Sequence, residues 1–296
     1  MSRSRPLRIP LILLTTLTSF SLFGCYPERV ESIRLMNEGI KHYNSGELST
    51  AVRKLELSSE RDPTNHRSLF YQGLILNDRG RQEEESRYFE QATHALEKSI
   101  KIAPDDSETH YQLGVALDAL DRDDAALLAY AAANRVAPHG EAYYRSGLIH
   151  QEAERFNQAQ ESYRNAITTK PSLGLAYSAL ALLYRHFKEM SSAITVLKNA
   201  LENDPEPLVH YRDLGQIYAQ LKQFTKAIEL YRQAEQTSGT SPQLTYLMGE
   251  AYFQMGDYQS AEMHIKLFVK MGLKEQDRPL IPKAKDLLRR LNEARK

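Results

Sequence analysis

Tryptophan is absent from this 296-residue chain, and cysteine occurs once, at Cys25. A single thiol cannot form an internal disulfide, so any core is held without cross-links. Net charge is missing as well, since 38 basic residues balance 38 acidic ones. That balance removes the general attraction that a nucleic-acid binder or an anionic-lipid binder would carry. The sequence has no Gly-rich phosphate loop, no His-Glu-x-x-His pair and no recognisable Ser or Cys nucleophile context, and its nine histidines are scattered. Asp121, Asp123 and Asp124 lack the glycine and closing glutamate of a calcium loop, so they read as a turn between helices. No enzymatic activity, cofactor, metal or small-molecule substrate is expected.

What the chain does have is a period. Counting from Gly147, a small residue follows 12 on (Ala159), an aromatic 16 on (Tyr163), a small residue 19 on (Ala166) and a proline 24 on (Pro171). The same ruler laid from Gly39 finds Ala51, Leu55, Ser58 and Pro63, and from Gly114 it finds Ala126, Tyr130, Ala133 and Pro138. Ala181, Gly215 and Gly249 open further copies, with Leu197, Tyr231 and Ile265 at the aromatic position. Alanine, leucine and long charged side chains dominate, and prolines fall between segments, which is the composition of an all-α protein.

A 34-residue period with these small, aromatic and proline positions resembles the tetratricopeptide repeat. The resemblance implies an all-α, right-handed α-solenoid of about seven helix pairs with a C-terminal capping helix. The pairs read as 32–65, 66–106, 107–139, 140–173, 174–207, 208–241 and 242–275. Residues 276–296 follow as the cap, with Ile281, Ala284, Leu287, Leu288 and Leu291 on one face. Within each pair the chain must reverse seven residues after the opening small residue. Gly46, Gly80, Asp121, Glu154, Lys188, Lys222 and Gly256 stand at that place. The second unit carries seven extra residues around Arg81 to Phe89. With Gly80 kept as the turn, they are expected to lengthen only the second helix, as a solvated spur.

The N-terminus reads differently. Arg3, Arg5 and Arg8 precede an apolar stretch from Ile9 to Phe23, which is short for a membrane span and suited to a signal-peptide core. It ends in Leu22-Phe23-Gly24-Cys25, which resembles a bacterial lipobox. That resemblance implies that residues 1–24 are a signal peptide, that Cys25 is lipidated, and that 25–31 is a short tether. Two or more acyl chains would anchor the protein stably in the membrane. The residue after the cysteine is Tyr26 rather than Asp, which leans towards the outer membrane, facing the periplasm.

In proteins of this kind the first helix of each pair lines the concave side. Its free face is expected to present Met36, Ile40, Tyr43, Phe70, Leu74, Asp78, Tyr111, Asp118, Tyr144 and Leu148 early in the array, and Arg185 and Arg212 later. Aromatic side chains bordered by charge suit a peptide or a helix as partner. Relatives that clamp a chaperone's C-terminal carboxylate use Lys and Asn where Met36, Ile40, Phe70 and Leu74 stand, so no such clamp is expected there. The resulting expectation is a non-enzymatic adaptor in the bacterial cell envelope, bound to the membrane through its lipid and to one or more envelope proteins. A pilotin-like assembly factor for a type IV pilus secretin is the alternative, and an accessory subunit of an envelope enzyme a third reading.

Overall fold

A computed structural model describes residues 27–271 and 274–294. The expected signal segment, Cys25 and Tyr26 lie outside them. Among the described residues there are fifteen α-helices, one short 3-10 turn at Glu275–Asp277 and no strand. The protein is all-α, with stacked helix pairs of the α-solenoid type. The chain divides into two compact units, one ending at Arg155 and the other beginning at Phe156.

The first unit contains α1 (Pro27–Asn44), α2 (Leu48–Arg61), α3 (His66–Glu83), α4 (Ser86–Ile102), α5 (Ser107–Asp118), α6 (Asp123–Val136) and α7 (Gly140–Glu152). The second contains α8 (Phe156–Thr169), α9 (Gly174–His186), α10 (Met190–Asn203), α11 (Leu208–Gln220), α12 (Phe224–Ser238), α13 (Pro242–Met255), α14 (Tyr258–Lys270) and α15 (Leu280–Ala294). The unit boundary falls inside the fourth period, between α7 and α8. Helix α1 starts at Pro27, five residues before the expected 32, with proline in the first turn where its missing N–H costs nothing. Among the described residues no helix is long and apolar enough to cross a membrane.

The ruler has a steric cause. A Cβ added to Gly215 would lie 2.3 Å from Tyr231 Cε1, and one on Gly114 would lie 2.4 Å from Tyr130 Cε1. Gly39 faces Leu55 and Gly249 faces Ile265 in the same way. The opening glycine of a pair is therefore the floor on which the side chain 16 residues on is laid. That side chain is fully buried: Leu55, Tyr130, Tyr163, Leu197, Tyr231 and Ile265 are all 0–1% exposed. The small residues at 12 and 19 on, such as Ala126 and Ala133, are buried as well and let the second helix approach closely.

The turns follow one scheme. Gly46, Asp121, Glu154, Lys188, Lys222 and Gly256 all have positive φ, between 56° and 89°. After each, the next N–H reaches back five residues to close the helix end, as in Arg122 N to Leu117 O at 2.9 Å and Gln223 N to Tyr218 O at 2.8 Å. Four of these residues are not glycine and bear the left-handed conformation at a cost of about 1–2 kcal/mol each.

The second pair corrects the expectation from sequence. Gly80 is not a turn residue: α3 runs through it to Glu83, and the reversal comes at Glu84, φ 56°. The seven extra residues are shared, lengthening both arms of the hairpin by about one turn each. The tip from Arg81 to Arg87 is largely exposed to solvent, as expected of a spur, but its base is packed, with Tyr88 and Phe89 4% and 7% exposed. Gly73 still faces Leu96, and one step outward Gly80 faces Phe89, with an added Cβ 2.7 Å from its Cζ. The insertion has thus added one further copy of the same glycine–large-residue contact. Arg79 and Arg87 both lie on the Tyr88 ring, 4.1 and 4.7 Å from its centroid.

At the far end, α15 lays Ala284, Leu287 and Leu291 onto the core of α12, α13 and α14, which it covers. Two consequences can be measured. Gly215→Ala should destabilise the second unit by about 1–3 kcal/mol despite the roughly 1 kcal/mol that alanine gains in helix propensity, because the buried Tyr231 ring cannot move aside. Urea unfolding that shows an unchanged or raised midpoint would refute the steric reading.

Burial also pushes the phenols of Tyr43, Tyr130 and Tyr231 well above the usual tyrosine range, and that of Tyr246 up to about 12. These folded-state values lie above the unfolded value of about 10, so their contribution to stability is complete below that pH and is lost as pH rises through the raised values. Tyrosinate absorbance should therefore rise in two stages, the second coinciding with loss of helical circular dichroism. A single stage near 10 with helix retained would contradict the assignment.

Candidate functional site

In the first unit, three of the residues expected on the binding face are core. Met36, Ile40 and Tyr43 are 3%, 0% and 0% exposed and belong to the cluster built by α1 to α4. They are packed within that cluster, so they present nothing to a partner. Phe70 and Leu74 are half-buried against the same cluster, and Phe70 packs on Tyr71 with ring centroids 5.1 Å apart.

The polar members of that face are bonded to one another. Asp78 accepts from the Tyr43 hydroxyl and from Arg81. Asp118 accepts from Tyr130 at 3.2 Å and from Arg145 Nη1 at 3.1 Å. Arg145 Nε also donates to the Tyr111 hydroxyl at 3.4 Å, and the Tyr111 ring stacks on His139 at 4.3 Å. His139 Nε2 lies 3.1 Å from Glu108 Oε2, and Gln112 donates to the same carboxylate at 2.9 Å. Burial alone would raise the Glu108 pKa; the bonds from His139 and Gln112 outweigh it and hold it below the usual range. Tyr144, whose pKa burial raises, and Leu148 are half-buried on α7. The face therefore satisfies itself.

The second unit is arranged differently. Arg212 is spent on Asp213, with Nη2 2.8 Å from Oδ1, and Arg185 is half-buried on α9. Beside them α11, α13 and the start of α15 enclose a cleft of about 620 Å³. Tyr231, Tyr246, Leu247, Phe224 and Leu280 supply its apolar surface. Around it stand Gln216, Gln220, Gln254, Lys222 and Lys283. None of these five makes a side-chain hydrogen bond or ion pair among the described residues. The one carboxylate lining the cleft, Glu250, adds its charge to burial in raising the Tyr246 phenol. On α9 and α11, Leu175, Leu182 and Val209 are 61%, 53% and 38% exposed.

Sequence reading missed one further grouping because its members are far apart in the chain. His210 Nε2 lies 2.6 Å from Asp204 Oδ2, and Ser178 Oγ lies 3.5 Å from His210 Nδ1. This has the order of a nucleophile, base and acid, but the imidazole is 1% exposed and the serine contact is long. Asp204 also accepts from Glu206 N at 3.0 Å, and a Cβ on Gly174 would lie 1.8 Å from its Oδ2. The carboxylate thus lies against the first residue of α9, where negative charge favours the helix N-terminus. The cluster is structural. No group of three His, Cys, Asp or Glu among the described residues could hold a metal.

Comparison with known proteins agrees with this architecture. Residues 144–206 match a family described as tetratricopeptide repeat, and residues 191–267 match anaphase-promoting complex, cyclosome, subunit 3. No curated protein matches the sequence. Among solved structures the chain is similar to MamA, at 27% identity over 56% of this chain and 93% of that one, with a TM-score of 0.50. It is also similar to YrrB, described as a TPR protein with an unusual peptide-binding site, at 17% identity over 66% and 99% with TM-score 0.52. PilW, described as a widely conserved type IV pilus biogenesis factor, matches at 13% identity over 84% and 98% with TM-score 0.54. The chain is a tetratricopeptide-repeat protein. Stacked repeats of this class form extended surfaces that bind other proteins.

The contrast between the two faces is directly testable. Arg145→Ala leaves Asp118 and Tyr111 without a shared donor and should cost about 1–2 kcal/mol in chemical denaturation. Gln254→Ala removes no internal bond and should stay within about 0.5 kcal/mol of the parent. Equal effects at the two sites would remove the distinction between a satisfied face and a free one.

Proposed function

We propose that this protein is a non-enzymatic protein–protein interaction scaffold that holds a partner segment on the first-helix face of its second unit. The observation that carries the reading is the cleft between α11, α13 and α15, where apolar floor and uncommitted amides stand together. A bound segment could take hydrogen bonds from those side chains without breaking any internal one, which keeps the cost of binding low. The exposed leucines of α9 extend the same face with apolar area.

The lipobox-like Leu22-Phe23-Gly24-Cys25 supports the second half of the proposal, that the scaffold is lipid-anchored through Cys25 in the bacterial envelope. Its place would be the outer membrane, facing the periplasm. Helix α1 begins at Pro27, so no more than about 7 Å of backbone would separate the anchor from the first repeat. A pilotin-like role in type IV pilus assembly is the second reading. Its support is the likeness to PilW, which extends over 84% of this chain.

Photo-crosslinking groups placed in living cells at Gln254 and Leu182, with Tyr111 for comparison, test the first half. Gln254 and Leu182 should capture an envelope protein and Tyr111 should not; capture from Tyr111 alone would move the site to the first unit. Cys25→Ala should shift the protein from the membrane fraction to the soluble one. A variant that stays with membranes in high salt and carbonate would overturn the lipid anchor.

A further inference from the structure

The chemistry of the cleft says more about its occupant than the repeat fold does. Its helices α11, α13 and α15 are neighbours, and packed helices lie about 8–10 Å apart, so a segment crossing all three covers about 18 Å. In extended form, at about 3.3 Å per residue, that is five or six residues. A helix laid across the same distance would need about twelve residues and a width of about 10 Å.

The polar lining comes in rows. Gln216 and Gln220 are four apart on α11, and Glu250 and Gln254 are four apart on α13, so each pair projects from one helix face. A glutamine amide both donates and accepts, and this matches the alternating N–H and C=O groups of an extended main chain. Such a chain has its own backbone groups unpaired and needs partners of both kinds.

The charges are asymmetric. Lys222, at the α11–α12 turn, and Lys283, in the first turn of α15, both line the cleft and neither has an ion-pair partner among the described residues. The only carboxylate in the lining, Glu250, lies against the Tyr246 phenol. Two unpaired cations against the single carboxylate of Glu250 leave the lining with a net positive charge, which favours negative charge on the ligand.

We infer that this cleft receives an extended peptide segment of five or six residues that carries acidic side chains, its main chain held by Gln216, Gln220 and Gln254 and its carboxylates by Lys222 and Lys283. The inference rests on the scaffold reading above and adds to it the class of partner. It also gives α15 a task besides covering the last repeat, because Leu280 and Lys283 form one wall of the site.

The test uses the full chain in detergent and fluorescein-labelled hexapeptides, acetylated and amidated, in which glutamate alternates with leucine or alanine. Matched peptides carry glutamine or lysine in place of glutamate, and one arm has a free C-terminal carboxylate. Fluorescence anisotropy should show the acidic peptide binding about tenfold more tightly than the glutamine peptide at low salt, with the difference shrinking as salt rises. The double variant K222A/K283A should abolish that preference while retaining binding of the glutamine peptide. Gln220→Ala with Gln254→Ala should weaken both peptides alike.

Equal affinity for acidic, neutral and basic peptides overturns the inference, as does binding that appears only with the free carboxylate, which would make this a site for chain ends. If no peptide binds while crosslinks from Gln254 still capture a protein, the acidic extended segment is wrong and the scaffold reading stands. If neither occurs, both fall.

Discussion

Within each of the two units the helix pairs depend on how closely their two helices approach. A glycine, as at Gly39, Gly73, Gly114, Gly215 and Gly249, leaves room on the first helix for one large side chain of the second, and that side chain is then sealed from water. Because backbone meets ring or aliphatic chain at van der Waals distance, the crossing of the two helices is fixed by contact rather than by the average hydrophobicity of the segment. The alanines on either side of the large residue extend the same approach along the helix. Stacking does the rest, since each pair leaves an apolar face that only the next pair or a final cap can cover.

This explains which features could be read from the sequence. Tyr130 and Tyr231 recur at one distance from a glycine because a single steric contact recurs, and the left-handed turn residues recur with them. The second pair was misread at Gly80 because a glycine seven residues after the opening one has two uses. It can supply a left-handed turn, as Gly46 does, or it can make room for a large side chain, as it does here beneath Phe89. Only the position of Glu84 in the fold decides between them.

The binding face was harder to read for a related reason. Helical periodicity places Met36, Ile40 and Tyr43 on the exposed side of α1 considered alone, but in the fold they are buried in the cluster shared with α2, α3 and α4. Asp78, Asp118 and Tyr111 look like part of a charged, aromatic groove in sequence, but in space Asp78 is bonded to Tyr43 and Arg81, and Asp118 and Tyr111 share Arg145. Whether a polar side chain is free depends on partners 27 to 35 residues away, as for Arg145 with Asp118 and Asp78 with Tyr43. The glutamines of α11 and α13 fall on the expected lining, but amides are common on helix surfaces and do not by themselves mark a site. Their significance lies in having no partner beside a hydrophobic floor.

The long second hairpin shows how such an array can change size. Seven residues are close to two helical turns, and shared between two arms they return every side chain to its former direction. An insertion of two or five residues would turn one arm by about half a turn and send Leu96 or Phe89 away from its glycine. Growth in this architecture is therefore quantised, much as a ladder lengthens only by whole rungs. Each rung must bring its own small residue and its own large one, and Gly80 with Phe89 is the rung that the second repeat acquired.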